Sequence, residues 1–382
     1  MLTKKLLFLI TEGEYFCSHR LSLALEAMRQ GYEVAVAAYV SDETRAKIQG
    51  HGIQVFAVPF VRASVNPLRE LGTLICIFRI YRQWRPDIVH QVAFKPAIYG
   101  TLVARILRVP RIINAIAGLG IIFVSPSLKA RILRPLILTS FHKLMRHPSC
   151  HLITQTLEDA AIVGQGLPIE QVKVIPGAGV DMTIFVPAPS RRIAKNGRCR
   201  AIMVSRILWS KGIGELVKAA RAIKKEGLAI DIILVGEPDL ANPDHVPVNR
   251  LKAWHTQKVI TWLGRRDDIA ALYQEADIAV FPSYYGEGVP KTLIEAAACG
   301  KPIVTTDHPG CRDVVVHGEN GLLVSLRDVR ALVKALRLLH DNKELCAAMG
   351  EASRHRALAI FSEDKIIQAT VELYTKKSVH ST

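Results

Sequence analysis

Two carboxylates, two cations and a glycine-bearing turn are the residues of this chain whose types and spacing suggest chemistry. In Phe281-Pro282-Ser283-Tyr284-Tyr285-Gly286-Glu287-Gly288-Val289-Pro290-Lys291-Thr292-Leu293-Ile294-Glu295-Ala296, an apolar strand gives way to a loop that opens a helix at Pro290. Proline suits a first helical turn because its missing N–H would have no partner there. The amides at such a helix start, together with the helix dipole, favour an anion by roughly 0.3–2 kcal/mol. A diphosphate is the natural occupant, held by Gly286, Gly288, Val289, Pro290 and Lys291. Glu287 stands in the loop and Glu295 about a turn and a half further along, so one carboxylate is placed for the hydroxyls of a sugar and the other for those of a ribose. Arg206 and Lys211 follow an earlier strand. Two cations there neutralise a diphosphate and the charge that grows on it as a bond to it breaks. Each charge-assisted hydrogen bond of this kind contributes roughly 1.5–3 kcal/mol. Taken singly, each residue reads equally as a solvated surface charge; the Gly-x-Gly setting and the small apolar run Ala296-Ala297-Ala298 favour function. No Asp-x-Asp motif accompanies them, so no metal or other cofactor is expected.

These residues need strands and helices to hold them. Lys5–Ile10 reads as a strand followed by a loop, then a helical stretch through Leu21, Leu23, Leu25 and Met28 ending at Gly31, then the strand 34–38. The rhythm continues with strand 54–58, helix 70–84, strand 86–90, helix 96–107, in which Gly100 and Ala104 form a close-packing face, and strand 110–114. It restarts after the Pro-rich stretch 186–192 with strand 200–204, helix 213–225, strands 230–235 and 259–263, helix 268–275, strand 278–281, helix 290–299, and strands 302–305 and 321–324. Short apolar strands alternating with helices predict parallel sheets covered on both faces. Two doubly wound α/β halves are expected, with ligands in the cleft between them.

In the first half, ligand groups are expected at the carboxyl ends of strands. Gly13 follows the first strand and would let a backbone approach a ligand closely, while His19 and Arg20 just beyond it could meet a phosphate. His90 and Lys95, in His90-Gln91-Val92-Ala93-Phe94-Lys95-Pro96, and Gly118, in Gly118-Leu119-Gly120, mark the next strand ends. For His19 and His90 the residues leave open a structural or a functional role.

The 382 residues exceed what one core usually supports. With 49% hydrophobic and 22% charged residues the chain reads as folded throughout. A net charge of +16 points to a polyanion, which could be nucleic acid, a phosphorylated small molecule or an acidic membrane surface. Aromatics at 6%, with no base-binding motif, argue against nucleic acid. Seven scattered cysteines without Cys-x-x-Cys spacing read as reduced, mostly buried thiols of a cytosolic protein. Lys4–Ile10 runs into Thr11-Glu12-Gly13-Glu14 with no small-residue cleavage site, so a buried strand is expected rather than a signal peptide. Between Ser125 and His147 five cations interleave with apolar residues and no acid. Such a segment either lies on an anionic bilayer or covers a core.

The Glu287/Glu295 segment resembles the Glu-x7-Glu motif of the family-4 retaining glycosyltransferases. Val204-Ser205-Arg206-Ile207-Leu208-Trp209-Ser210-Lys211-Gly212 is similar to that family's Arg-x4-Lys-Gly phosphate clamp, Val174–Phe185 to its interdomain segment and Ala276–Ser283 to its lead-in strand. The strand-end motifs of the first half resemble the bacterial subgroup that acts on lipid-linked sugars. The resemblance implies the GT-B fold, with an acceptor-binding Rossmann-like domain over 1–185, a linker over 186–198, a nucleotide-sugar-binding Rossmann-like domain over 199–358, and a C-terminal helix in 359–382 crossing back to the first domain. It implies transfer, with retention, of a hexose or N-acetylhexosamine from a UDP-linked donor to a glycan or polyprenyl-diphosphate acceptor in bacterial surface polysaccharide or glycoprotein glycan assembly. Glu287, Arg206 and Lys211 would be catalytic and Glu295 would hold the ribose. Gly13, His19, His90, Lys95 and Gly118 would lie on the acceptor side. The expected partners are the nucleotide sugar, the acceptor and the inner membrane surface, not nucleic acid; the expected place is cytoplasmic and peripheral on that membrane. Two departures stand out: Gly286 sits where many relatives carry arginine, and Ala115-Ile116-Ala117 where some place a histidine. A nucleotide-sugar hydrolase or epimerase of the same architecture, or a basic nucleic-acid-binding protein, is the alternative.

Overall fold

The computed structural model describes residues 3–61, 66–119, 128–189, 197–240, 242–284 and 286–375, with the backbone alone at 128–130. Gly120, Tyr285, part of the expected linker and the start of the basic segment lie outside the described residues. The chain divides into two compact units, one of 1–178 with 365–382 and one of 179–364.

The first unit is built on a seven-stranded parallel sheet ordered β3-β2-β1-β4-β5-β6-β7. Its strands are β1 (Lys5–Glu12), β2 (Glu33–Tyr39), β3 (Gln54–Ala57), β4 (Ile88–Val92), β5 (Arg111–Ile116), β6 (Cys150–Thr154) and β7 (Val172–Val174). Helices α1 (Gly13–His19), α2 (Leu21–Arg29), α3 (Asp42–Gln49), α4 (Pro67–Trp84), α5 (Phe94–Ile106), α6 (Leu128–Met145) and α7 (Leu157–Val163) connect them. Leu6 to Ile10 and all of β4 are buried, which is why these strands read as continuous apolar runs. The strand order reverses between β1 and β4, the position at which open α/β sheets collect ligands.

The second unit carries a six-stranded parallel sheet ordered β10-β9-β8-β11-β12-β13. Its strands are β8 (Cys199–Val204), β9 (Ile230–Val235), β10 (Thr261–Trp262), β11 (Ile278–Phe281), β12 (Ile303–Thr306) and β13 (Gly321–Val324). Its helices are α8 (Ile213–Lys225), α9 (Val248–Thr256), α10 (Ile269–Glu275), α11 (Lys291–Ala298), α12 (Pro309–Val314), α13 (Val329–Asp341) and α14 (Lys343–Ile360). Helix α15 (Glu363–Thr375) follows and places Leu373 and Tyr374 in the first unit, where the Leu373 carbonyl accepts from the Arg111 guanidinium at 2.5 Å. Here the order reverses between β8 and β11, so the segments carrying Lys211 and Glu287 leave adjacent strands.

Two local expectations need correction. Gly13 is the first residue of α1, with no loop between strand and helix, because β1 runs on to Glu12. Its missing side chain makes room for Val40 and Thr44 of the same unit: an added Cβ would lie 2.5 Å from Val40 Cγ1. Pro290 is the extended N-cap of α11 and not a helical residue, its carbonyl accepting from Leu293 N at 3.0 Å. All seven cysteines are free and five of them are buried.

Candidate active site

The turn after β8 is set by its neighbours. Asp244, in an Asn-Pro-Asp turn before α9, accepts from Ser210 N at 2.9 Å and from the Ser210 hydroxyl, while Trp209 N donates to Asp244 O at 2.9 Å. The short 3-10 turn Trp209–Lys211 then ends at Gly212, whose φ of 82° is left-handed. A Cβ there would come 2.1 Å from the Pro282 carbonyl oxygen. Gly212→Ala is therefore expected to cost at least about 2 kcal/mol, from the left-handed backbone and the collision together, and to lower the thermal midpoint measurably. A wild-type melting curve would contradict this packing.

The same closeness brings the Lys211 ammonium onto the Glu287 carboxylate as an ion pair. Their side chains are 10% and 12% exposed, so the pair is largely withdrawn from water. Ser283 Oγ donates to the same Glu287 oxygen at 3.0 Å, and the ammonium also lies 5.5 Å from the Phe281 ring centre. The loop bearing Glu287 rests on α12: a Cβ at Gly310 would fall 1.6 Å from the Gly288 carbonyl oxygen. Thr292, in the first turn of α11, donates its hydroxyl to Val204 O at 2.9 Å and meets Tyr273 Oη at 2.6 Å, which ties the helix start to the end of β8. No side chain caps that helix start.

Glu295 is half-buried, and its carboxyl makes no hydrogen bond among the described residues. Desolvation pushes it up to about 7, against the pull of Lys291. Arg206 is half-exposed and pairs with Asp239 at 3.1 Å, outside the Lys211–Glu287 pair. Gly286, Gly288, Val289 and Pro290 are buried in the loop. The second unit thus brings Lys211, Glu287 and the open end of α11 together, with the uncompensated Glu295 on that helix.

The first-unit candidates are dispersed and mostly engaged. His19 stacks on Tyr15 at 4.2 Å and bonds Ser18 through Nδ1 at 2.7 Å. Lys95 is tied to Glu70 and to the Val61 carbonyl, both at 2.9 Å. His90 is 1% exposed, and its Nδ1 lies 2.7 Å from Tyr374 Oη. Burial and the nearby Arg20 hold it far below the usual histidine range, so it is neutral. Gly118 follows β5 with φ 91°. Sequence reasoning missed Ser283, Thr292, Asp244 and Gly310, which support the second-unit site; of these only the Asn-Pro-Asp turn carried a signal.

The family description "Glycosyl transferases group 1" matches residues 190–356, and "Glycosyl transferase 4-like" matches residues 5–153. Together the two cover most of both units. Each unit thus carries a glycosyltransferase domain, and the fold is GT-B. Among curated relatives it is 26% identical to the N,N'-diacetylbacillosaminyl-diphospho-undecaprenol alpha-1,3-N-acetylgalactosaminyltransferase of Campylobacter jejuni, covering 92% of this chain and 93% of the relative. It is also 26% identical to the UDP-Gal:alpha-D-GlcNAc-diphosphoundecaprenol alpha-1,3-galactosyltransferase of Escherichia coli, over 84% of each. Of solved structures, HepE of Anabaena in complex with UDP superposes with a TM-score of 0.77 at 20% identity, covering 97% of this chain and 99% of HepE. That likeness supports the fold of this glycosyltransferase, and the activity rests on the family matches.

Proposed function

We propose that this glycosyltransferase moves a hexose or N-acetylhexosamine, with retention, from a UDP-linked donor to a polyprenyl-diphosphate-linked acceptor in bacterial glycan assembly. The observation that carries the donor half is the buried Lys211–Glu287 pair beside an uncapped helix start at the strand-order reversal of the second unit. Lys211 and Arg206 would take up the diphosphate charge as the glycosidic bond breaks, and Glu287, released from Lys211, would orient the donor sugar. Glu295, with no partner of its own among the described residues, is supplied for a ribose hydroxyl pair. The acceptor half is supported by the two undecaprenol-diphosphate relatives.

A membrane-surface location has support in the first unit. Leu68, Leu71 and Ile75 on α4, Leu102 and Ile106 on α5, and Ile132 and Leu136 on α6 are all exposed on neighbouring helices. Arg69, Arg79, Arg105, Arg108, Arg131 and Lys143 are exposed on the same three helices or at their ends. Apolar residues rimmed by cations suit an anionic bilayer. Among the described residues no helix is long and apolar enough to cross a membrane. The phosphoglycolipid reading is tested by incubating the full chain with UDP-sugars, with and without a polyprenyl-diphosphate-linked sugar, and analysing products by mass and anomeric configuration. A new glycolipid with the donor's configuration is expected. Free sugar or an epimerised nucleotide sugar as the only product would favour the hydrolase or epimerase alternative.

A further inference from the structure

The first unit keeps a buried cation without a counter-ion among its described residues. Arg20, between α1 and α2, is 7% exposed, has no carboxylate partner among the described residues, and donates only weakly, through one terminal nitrogen, to the His19 carbonyl at 3.3 Å. Its Nε is buried with no hydrogen-bond partner. An isolated charge taken out of water costs several kcal/mol unless something compensates it. His90 shows the same deficit: its Nε2 is buried and unpartnered. Arg20 and His90 line one small cavity, with Ala115, Ile116 and Ala117 at the end of β5, Gln155 just beyond β6, and Gly177 beyond β7. These are carboxyl ends of parallel strands, where this architecture places ligands.

The tautomer of His90 follows from its partner. Among the described residues, Tyr374 Oη makes its one hydrogen bond with His90 Nδ1. A buried phenol that accepted there would leave its own hydrogen unplaced, so Tyr374 donates to Nδ1 and the imidazole proton resides on Nε2. Two residues that each keep an unpartnered N–H, one of them on a guanidinium, therefore line a cavity of about 10 Å³. That is room for a single oxygen-sized atom. Two donors and a net positive charge around one oxygen specify an anionic acceptor.

We propose that Arg20 and His90 form a binding site for one phosphoryl oxygen, that of the diphosphate in the lipid-linked acceptor, with Tyr374 of the C-terminal helix fixing the imidazole that helps to hold it. The choice of acceptor rests on the function proposed above; the anion site itself rests on the two unpartnered donors.

The test compares wild type with Arg20→Gln, Arg20→Lys and the double variant His90→Phe/Tyr374→Phe, in which neither ring keeps an orphaned polar atom. Arg20→Gln should raise the acceptor KM at least tenfold and leave the donor KM within twofold, in keeping with the loss of a charge-assisted contact. Arg20→Lys, which keeps the charge but not Nε, should recover part of that loss, and the double variant should raise the acceptor KM severalfold. Binding of inorganic pyrophosphate and of UDP to the resting enzyme, by calorimetry, separates the sources: Arg20→Gln should weaken pyrophosphate binding and leave UDP unchanged. An acceptor KM within twofold of wild type in a folded Arg20→Gln, or weakened UDP binding with pyrophosphate unaffected, overturns the proposal. So does a high-resolution structure in pyrophosphate showing an ordered water only. If wild type makes no glycolipid at all, the proposed function fails, and the pyrophosphate titration still decides the anion site.

Discussion

Replacing Lys211 by methionine is expected to lower sugar transfer by a hundredfold or more and to destabilise the fold at the same time. The two losses have different causes and can be separated. The stability loss arises because Glu287, 12% exposed, is left as a charge without its partner, a defect that costs about 3–5 kcal/mol when a buried pair is broken from one side. The loss of transfer arises because the cation paired with Glu287 is gone and Arg206 alone is left to take up charge on the departing diphosphate, where removal of one such group costs about 10²–10³ in kcat. The double variant Lys211→Met/Glu287→Gln removes both charges, puts an apolar side chain of similar length where the ammonium faced the Phe281 ring, and leaves Ser283 a partner at the amide oxygen. Its melting temperature should return close to wild type while transfer stays lost. Recovery of transfer together with stability would show that the pair is a structural brace and nothing more.

Glu295→Gln should stabilise the unliganded protein at neutral pH and yet weaken nucleotide binding by tenfold or more. The carboxyl is pushed from 4.5 up to about 7 by desolvation. For an acid raised on folding, the folded state holds the proton more tightly than the unfolded chain. The contribution of Glu295 to stability is therefore greatest below pH 4.5 and falls as pH rises through 7, by about 3 kcal/mol at 1.36 kcal/mol per unit. The glutamine variant lacks this term, so its melting temperature should fall less between pH 5 and pH 8. A carboxylate kept at such cost is of use to a ligand bearing hydroxyl donors, which the amide accepts less strongly. Parallel pH profiles for the two proteins, or unchanged UDP affinity, would remove Glu295 from the donor site.

Much of this arrangement was legible in the residue pattern, for reasons that also explain what was not. Five of the six strands of the second sheet were readable because each is a short, mostly buried apolar run, and Ile213–Lys225 because its buried residues keep helical spacing. Strands β6 and β7 were missed because His151 and Lys173 interrupt them and their burial comes from neighbours remote in sequence. Helix α3 was missed because it is polar, held by Ser41 capping Thr44 N and by two buried residues. Lys211 and Glu287 were singled out by motif, but their direct pairing depends on β8 and β11 lying side by side, which no local pattern states. Arg206 was expected to share that centre and instead rests on Asp239. Arg20 and His90 were each candidates in the sequence, but their shared cavity and the hold of Tyr374 on His90 were not legible there, because these groups come from both ends of the first unit, 284 residues apart in the case of His90 and Tyr374.

In the proposed donor complex the second unit grips a nucleotide diphosphate through Lys211, Arg206, Glu295 and the start of α11. A crystal structure of the full chain with UDP tests it most directly. The diphosphate should lie within hydrogen-bonding distance of Lys211, Arg206 and the first amides of α11, with the ribose hydroxyls on the Glu295 carboxylate and Arg206 swung away from Asp239. UDP bound elsewhere, with Lys211 still closed on Glu287 and Glu295 untouched, would contradict it.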